Sequence, residues 1–160
     1  MEIVQATPAH LPEIVALWTE FFEFLGHVDH RFTRSEDAPL HFRKYVRELM
    51  TSDESRVLVG MEKDRVVAYS ISQIKSHPPV FPHGKYGFIS DIGVRQEFQG
   101  RGFGEQMLGK IFEWFEAKGV KRIELRVAAK NHAGRSFWRK HGFKAYLHIL
   151  CMERLPDSKV

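Results

Sequence analysis

The stretch VRQEFQGRGFGEQML, residues 94–108, decides how this chain is read. It sets Gly100, Gly102 and Gly104 around the cation Arg101 and runs straight into an amphipathic segment. Glycine weakens a helix interior, yet here it crowds a helix start. The first turn of a helix leaves N–H groups without intrahelical partners, and the helix dipole adds partial positive charge there. Glycines remove the side chains that would keep a ligand off this backbone, and they tolerate left-handed conformations. The segment is therefore expected to hold a pyrophosphate or similar anion, with Arg101 adding a formal charge beside it. A glycine-rich turn with no ligand is the plainer alternative.

Working outward, YGFISDIGV before the glycines reads as a strand over residues 86–94. The helix after them is expected to reach about Lys118, with Met107, Leu108, Ile111, Phe112 and Phe115 inward and Gly119 as its C-terminal cap. KRIELRVA then alternates as a strand with Ile123, Leu125 and Val127 on one face. Asn131 opens a shorter helix through Phe137 and Trp138, closed by His141 and Gly142. FKAYLHILCMER is expected to be a last strand containing a buried, inert Cys151. Towards the N-terminus, MEIVQA is a first strand, and Thr7-Pro8 starts a helix that Gly26 ends. HVDHRFTRSED is a polar loop, Asp37 or a neighbour caps a second helix, and two alternating runs flank a turn at Glu62 to Arg65. The order is β-α-α-β-β-β-α-β-α-β, an α/β fold in which helices flank a mixed, mostly antiparallel sheet, in one domain over residues 1–160.

The bulk properties fit such a domain. The chain has 160 residues, 43% hydrophobic and 28% charged, an ordinary globular composition. A single cysteine excludes an intrachain disulfide. No secretory leader and no membrane-spanning run is visible, so a cytoplasmic protein without membrane contact is expected. Residues 1–80 carry 9 Lys and Arg against 12 Asp and Glu; residues 81–160 carry 15 against 8. The basic half holds the glycines and suits an anionic ligand, and the acidic half is compatible with a cationic partner. No nucleic-acid-binding signature accompanies the basic half.

The glycine spacing discriminates among nucleotide-like ligands. A dinucleotide fingerprint needs a third glycine where Glu105 stands, and a Walker motif needs a Gly-Lys-Ser/Thr ending that is absent. The pattern Gln99-x-x-Gly102-x-Gly104 resembles the acetyl-CoA-binding motif of the GNAT superfamily of N-acetyltransferases. SDIGV is similar to the family's fourth strand, and Asn131 to Phe143, N-x-x-G-x-x-F-W-x-x-x-G-F, to its later helix. The motifs cover about residues 85–145, and the element order covers the chain.

The resemblance implies an enzyme that moves the acetyl group of acetyl-CoA to an amine, without a metal. By it, Gln99, Gly100, Arg101, Gly102, Phe103 and Gly104 would bind the CoA pyrophosphate. Ile92, Gly93 and Val94 would offer main-chain bonds to pantetheine, with an N–H near Val94 polarising the thioester oxygen. Strands four and five would splay apart to admit the pantetheine, and Asn131 would contact the cofactor from the other side, with Phe137 and Trp138 also at the cofactor. An alkylamine, with a pKa of about 10.4, needs a proton acceptor. Asp91 is the nearest carboxylate by sequence, and Glu124 is a second candidate. Strand alternation lets only one of Ser90 and Asp91 face the cleft unless a bulge intervenes. Trp138 stands where many relatives have a tyrosine that protonates the leaving thiolate; indole can donate a hydrogen bond but has no proton to give. Tyr146 and Tyr86 are substitutes by type only.

The acceptor region is expected in the first two helices and their loop, with Phe22, Glu23, Asp29 and Ser90 as substrate-facing candidates and Glu20 nearby. The acceptor classes are a small cationic amine, an aminoglycoside- or polyamine-like compound, an amino acid or a protein amine. His27, Asp29 and His30 make a poor metal site, and His77 and His83 read as surface-loop residues. Trp138 also leaves open a catalytically silent CoA-binding module. Homodimers are common in the family, but no residue requires one.

Overall fold

The structure is a computed structural model that describes residues 1–154. Its elements are β1 (Glu2–Gln5), α1 (Leu11–Val28), α2 (Ala38–Leu49), β2 (Ser55–Glu62), β3 (Arg65–Ser76), β4 (Lys85–Val94), α3 (Phe103–Ala117), β5 (Ile123–Leu125) and α4 (His132–Lys140). The strands lie in the order β1-β2-β3-β4-β5, antiparallel except for the parallel β4/β5 pair. Backbone contacts group the chain into two compact units, Met1–Arg126 and a second beginning at Val127. The sheet and α1 to α3 form the first, and α4 belongs to the second.

Strand alternation divides the first unit's core. Leu11, Ile14, Leu17 and Trp18 of α1 and Phe42 and Val46 of α2 pack on Val57, Val59, Tyr69 and Ile71, the odd-numbered positions of β2 and β3. The other face meets α3, whose Phe115 lies against Gly87. A Cβ at Gly87 would sit 2.6 Å from the Phe115 ring, and Phe115 is fully buried. Gly87→Ala is therefore expected to destabilise the protein by about 1–3 kcal/mol through overpacking, read as a lower urea midpoint at unchanged slope. The β2/β3 hairpin turns at Lys63 and Asp64, both with positive φ, as a two-residue turn matched to strand twist requires.

Several sequence expectations change. Gly26 does not end α1; the helix continues to Val28, and the N–H of Asp29 bonds Leu25 O at 2.8 Å. Burial of Leu25 outweighs a helical glycine's cost of about 1 kcal/mol. On α3, Trp114 is buried and Phe112 only half-buried. β5 is confined to Ile123–Leu125, so Val127 lies outside it. The expected last strand is not formed: among the described residues, no ladder includes residues 143–154. Leu147, Ile149, Leu150 and Met152 are exposed, and so is Cys151, which is not buried as expected. Apolar alternation marks a segment able to join a sheet, but the strand exists only where a neighbour takes its N–H and C=O groups.

Candidate active site

The β3/β4 register shifts between Ile71 and Ser72. Ile71 opposes Asp91 and Ser72 opposes Ile89, leaving Ser90 as the extra residue of a β-bulge. The bulge resolves the alternation problem by reversing which parity faces α1 and α2. Before it, Gly87 faces α3; after it, Gly93 lies under the ring of Tyr69, on the α1/α2 side. Ser90 and Asp91 consequently share that side. Ser90 Oγ accepts a hydrogen bond from Gln73 Nε2 at 2.7 Å, and the same amide donates to the hydroxyl of Tyr45, on α2, at 2.7 Å.

Asp91 pairs with the hydroxyl of Tyr69, which is 1% exposed. Withdrawal from water pushes the Asp91 carboxyl up to about 6, against the opposing pull of the Tyr69 hydrogen bond. Burial, then the charge of Asp91 and its hydrogen bond, hold the Tyr69 phenol well above its ordinary value. Tyr69 therefore stays protonated and donates, while Asp91 is ionised at neutral pH yet far more basic than an ordinary aspartate. That is the property a general base needs. Tyr69→Phe removes the bond that lowers the Asp91 value, so the acidic limb of any Asp91-dependent rate profile is expected to move to higher pH.

Among the described residues, the β4/β5 ladder ends before the glycine motif begins. β5 pairs only with Gly87–Ile89, whereas β3 follows β4 to Val94. Residues 90–94, including Ile92, Gly93 and Val94, thus lie beyond the β4/β5 ladder. The chain then makes a single 3-10 turn at Gln96–Phe98, and Gln99 Nε2 donates back to Val94 O at 3.1 Å. Gly100 and Gly102 adopt φ +75° and +77°, the left-handed region that favours glycine. Gly102 is the N-cap of α3, and the bond from Gln106 N to Gly102 O, 3.1 Å, starts the helical ladder. Gly104 lies in the first turn beside Phe103, whose ring stacks with Phe98; the Arg101 guanidinium lies 5.0 Å over Phe98. A Cβ on Gly102 would meet Glu105 Oε2 at 3.3 Å. A carboxylate of the chain itself therefore leans on the electropositive helix start.

The remaining candidates have defined surroundings. Glu124 Oε2 accepts from Arg122 Nε at 2.9 Å and lies 2.9 Å from His77 Nε2. Phe22 and Glu23 line a cleft of about 430 Å³ between α1 and the following loop, with His27, Arg34 and Glu36. A second cleft of similar volume is lined by Trp18, Phe22, Arg34, His41 and Tyr45. Asp29 lines neither; it is buried and accepts from Arg31 N and Arg31 Nη2, both at 3.1 Å. In the second unit, Asn131 Oδ1 caps α4 by accepting from Gly134 N at 3.0 Å. A Cβ at Gly134 would collide with that side chain. Trp138 is buried edge-on to Phe137 and Phe143. Tyr86 stacks on His77, and Tyr146 is exposed.

Tyr69, Gln73, Tyr45 and Arg34 escaped the sequence reading. Tyr69 and Gln73 sit in an apolar strand whose cross-strand partners only the register reveals.

Residues 11–143 match the acetyltransferase (GNAT) family. The chain belongs to this family. The acetyltransferase is 27% identical to an uncharacterized N-acetyltransferase of Archaeoglobus fulgidus over 86% of this chain and 89% of that protein. Its fold matches a mutant of the BH1408 protein from Bacillus halodurans, TM-score 0.88 at 25% identity, over 97% of this chain and all of the other. It also matches, at 15% identity and TM-score 0.72, an aminoglycoside N-acetyltransferase in complex with CoA, over 97% of this chain and 100% of that one. The last likeness is one of fold. As the resemblance implied, the acetyltransferase has a mixed α/β architecture with helices flanking the sheet. Among its described residues no helix is long and apolar enough to cross a membrane.

Proposed function

We propose that this acetyltransferase transfers the acetyl group of acetyl-CoA directly to a primary amine in a ternary complex, with Asp91 as the general base. The observation that carries the reading is the pairing of half-buried Asp91 with buried Tyr69 at a β-bulge, just beyond the end of the β4/β5 ladder. The amine nitrogen attacks the thioester carbonyl, forming C–N. The ammonium proton passes to Asp91, and the C–S bond breaks. A thiol of pKa about 8.5 leaves tolerably as thiolate and takes its proton from water, while Asp91 returns the captured proton to solvent, so no protein acid is required. Glu124, held by Arg122 and His77, is the less available carboxylate. The left-handed Gly100 and Gly102 and the start of α3 hold the pyrophosphate, with Arg101 beside it. Ile92, Gly93 and Val94 bind pantetheine by their main chain.

The acceptor enters by the α1/α2 clefts, since Tyr45 lines one of them and reaches Ser90 through Gln73. These clefts carry both signs of charge. Glu23 and Glu36 suit a cationic amine, while Arg34 stacks 4.6 Å over Trp18 with a buried Nη1 that has no partner among the described residues. Within the acceptor classes, this favours amines that also bear a carboxylate or carbonyl, such as an amino acid or a protein amine, over simple polyamines. The reading takes residues 1–160 as one functional domain in the cytoplasm; the family match, which runs through both units, supports the first part.

The test combines calorimetric titration with acetyl-CoA and a thiol-release assay across an amine panel. Micromolar binding with amine-dependent CoA release is expected. Binding without turnover on any amine would instead make the protein a CoA-binding module, and no binding would remove the transferase reading altogether.

A further inference from the structure

The loop between β3 and β4 brings together groups that acetyl transfer does not use. His77, His83 and Glu124 each direct a ligand atom into one small volume, all three within 4.8 Å of one another. Their surroundings fix them in place. His77 N donates to Gly84 O at 2.8 Å, closing the loop, and the turn uses the positive φ of Gly84. Pro78, Pro79 and Pro82 stiffen the connection by fixing φ at three of its positions. The His77 ring stacks on Tyr86 at 3.9 Å and meets His83 edge-on at 4.5 Å. His77 and Glu124 each keep only 17% side-chain exposure.

We propose that His77, His83 and Glu124 form a binding site for a divalent transition metal of the zinc type, stapling the β3–β4 loop to β5. Two imidazoles and a carboxylate select zinc, cobalt or nickel over magnesium or calcium, which prefer all-oxygen shells. Three protein ligands leave a fourth position for water or another donor. Tetrahedral bonds of about 2.1 Å need donors roughly 3.4 Å apart. His77 Nε2 and Glu124 Oε2 are already at 2.9 Å, so His83 supplies most of the adjustment by rotating its exposed ring. Arg122, bonded to Glu124 Oε2 at 2.9 Å, then orients the carboxylate from outside the coordination sphere. The site stands independently of the acetyl-transfer reading.

The experiment is a zinc titration of the full chain after chelator treatment, by competition with a chromophoric chelator, with cobalt as a spectroscopic probe. One equivalent of zinc should bind with submicromolar Kd, and the cobalt form should show the strong visible bands of a four-coordinate site. His83→Ala and His77→Ala should each weaken zinc binding at least 100-fold. His148→Ala and Cys151→Ser should leave it unchanged. Unaltered circular dichroism in His83→Ala excludes misfolding as the cause. Equal zinc affinity in His83→Ala and wild type, loss of binding in Cys151→Ser, or no preference for zinc over magnesium would each overturn the proposal.

Discussion

The Asp91→Asn protein is expected to lose roughly two to four orders of magnitude in kcat/KM, the usual range for removal of a general base, while becoming more stable at neutral pH. Both effects come from one cause. Burial pushes the Asp91 carboxyl up to about 6, so holding its charge at pH 7.5 costs the native state free energy. The value is raised above the unfolded-state value, so the group's stabilising contribution is complete below about pH 4 and is lost as pH rises through 6. Asparagine accepts the Tyr69 hydrogen bond without carrying charge. The variant should match wild type in stability at pH 4 and exceed it by about 1–3 kcal/mol at pH 7.5. Urea unfolding at the two pH values reads this difference. In wild type, kcat/KM should rise through about pH 6 as Asp91 ionises. A purely structural aspartate would give neither the acidic limb nor the opposed changes in rate and stability. A variant destabilised at both pH values would remove Asp91 from its assigned role.

Gly102→Glu should reduce acetyl-CoA affinity on the order of 100-fold. Position 102 has φ +77°, where a non-glycine residue costs about 1–2 kcal/mol. A new carboxylate would also stand at the start of α3 beside Glu105, adding negative charge where the pyrophosphate is expected to sit. Interactions with a helix terminus reach up to about 2 kcal/mol, and loss of the backbone approach adds to that. Gly109→Ala is the control: it lies exposed in the same helix with nothing near its Cβ position. It should gain about 0.5–1 kcal/mol in stability and bind acetyl-CoA normally. Equal affinity in the Gly102→Glu and Gly109→Ala proteins would leave the glycine turn without its ligand.

What the residues dictated locally was legible in advance. Gly100, Gly102 and Gly119 sit at positive φ because their places in turns and caps demand it, and a glycine states that demand directly. Asn131 caps α4 and Glu62 to Arg65 turns the hairpin for equally local reasons. The amphipathic face of α3 and the β2/β3 alternation likewise follow from period alone. Chain-distant pairings were not legible. Ser90 and Asp91 share a side only because β3 fixes a bulge opposite Ser72, and no feature of SDIGV announces it. The pKa of Asp91 depends on Tyr69, 22 positions away in the chain. His77, His83 and Glu124 meet because β5 aligns parallel to β4, which brings position 124 beside the loop. The segment 143–154 carried a strand's alternation but forms no ladder, since a strand needs a partner's hydrogen bonds as well as its own pattern. The sequence by itself determined the helices, most strands and the glycine turn before α3, because short-range sterics and periodicity decide them. The tertiary structure decided the orientation of Asp91, its raised basicity and the loop cluster, because register, desolvation and cross-strand contact exist only once the sheet has formed.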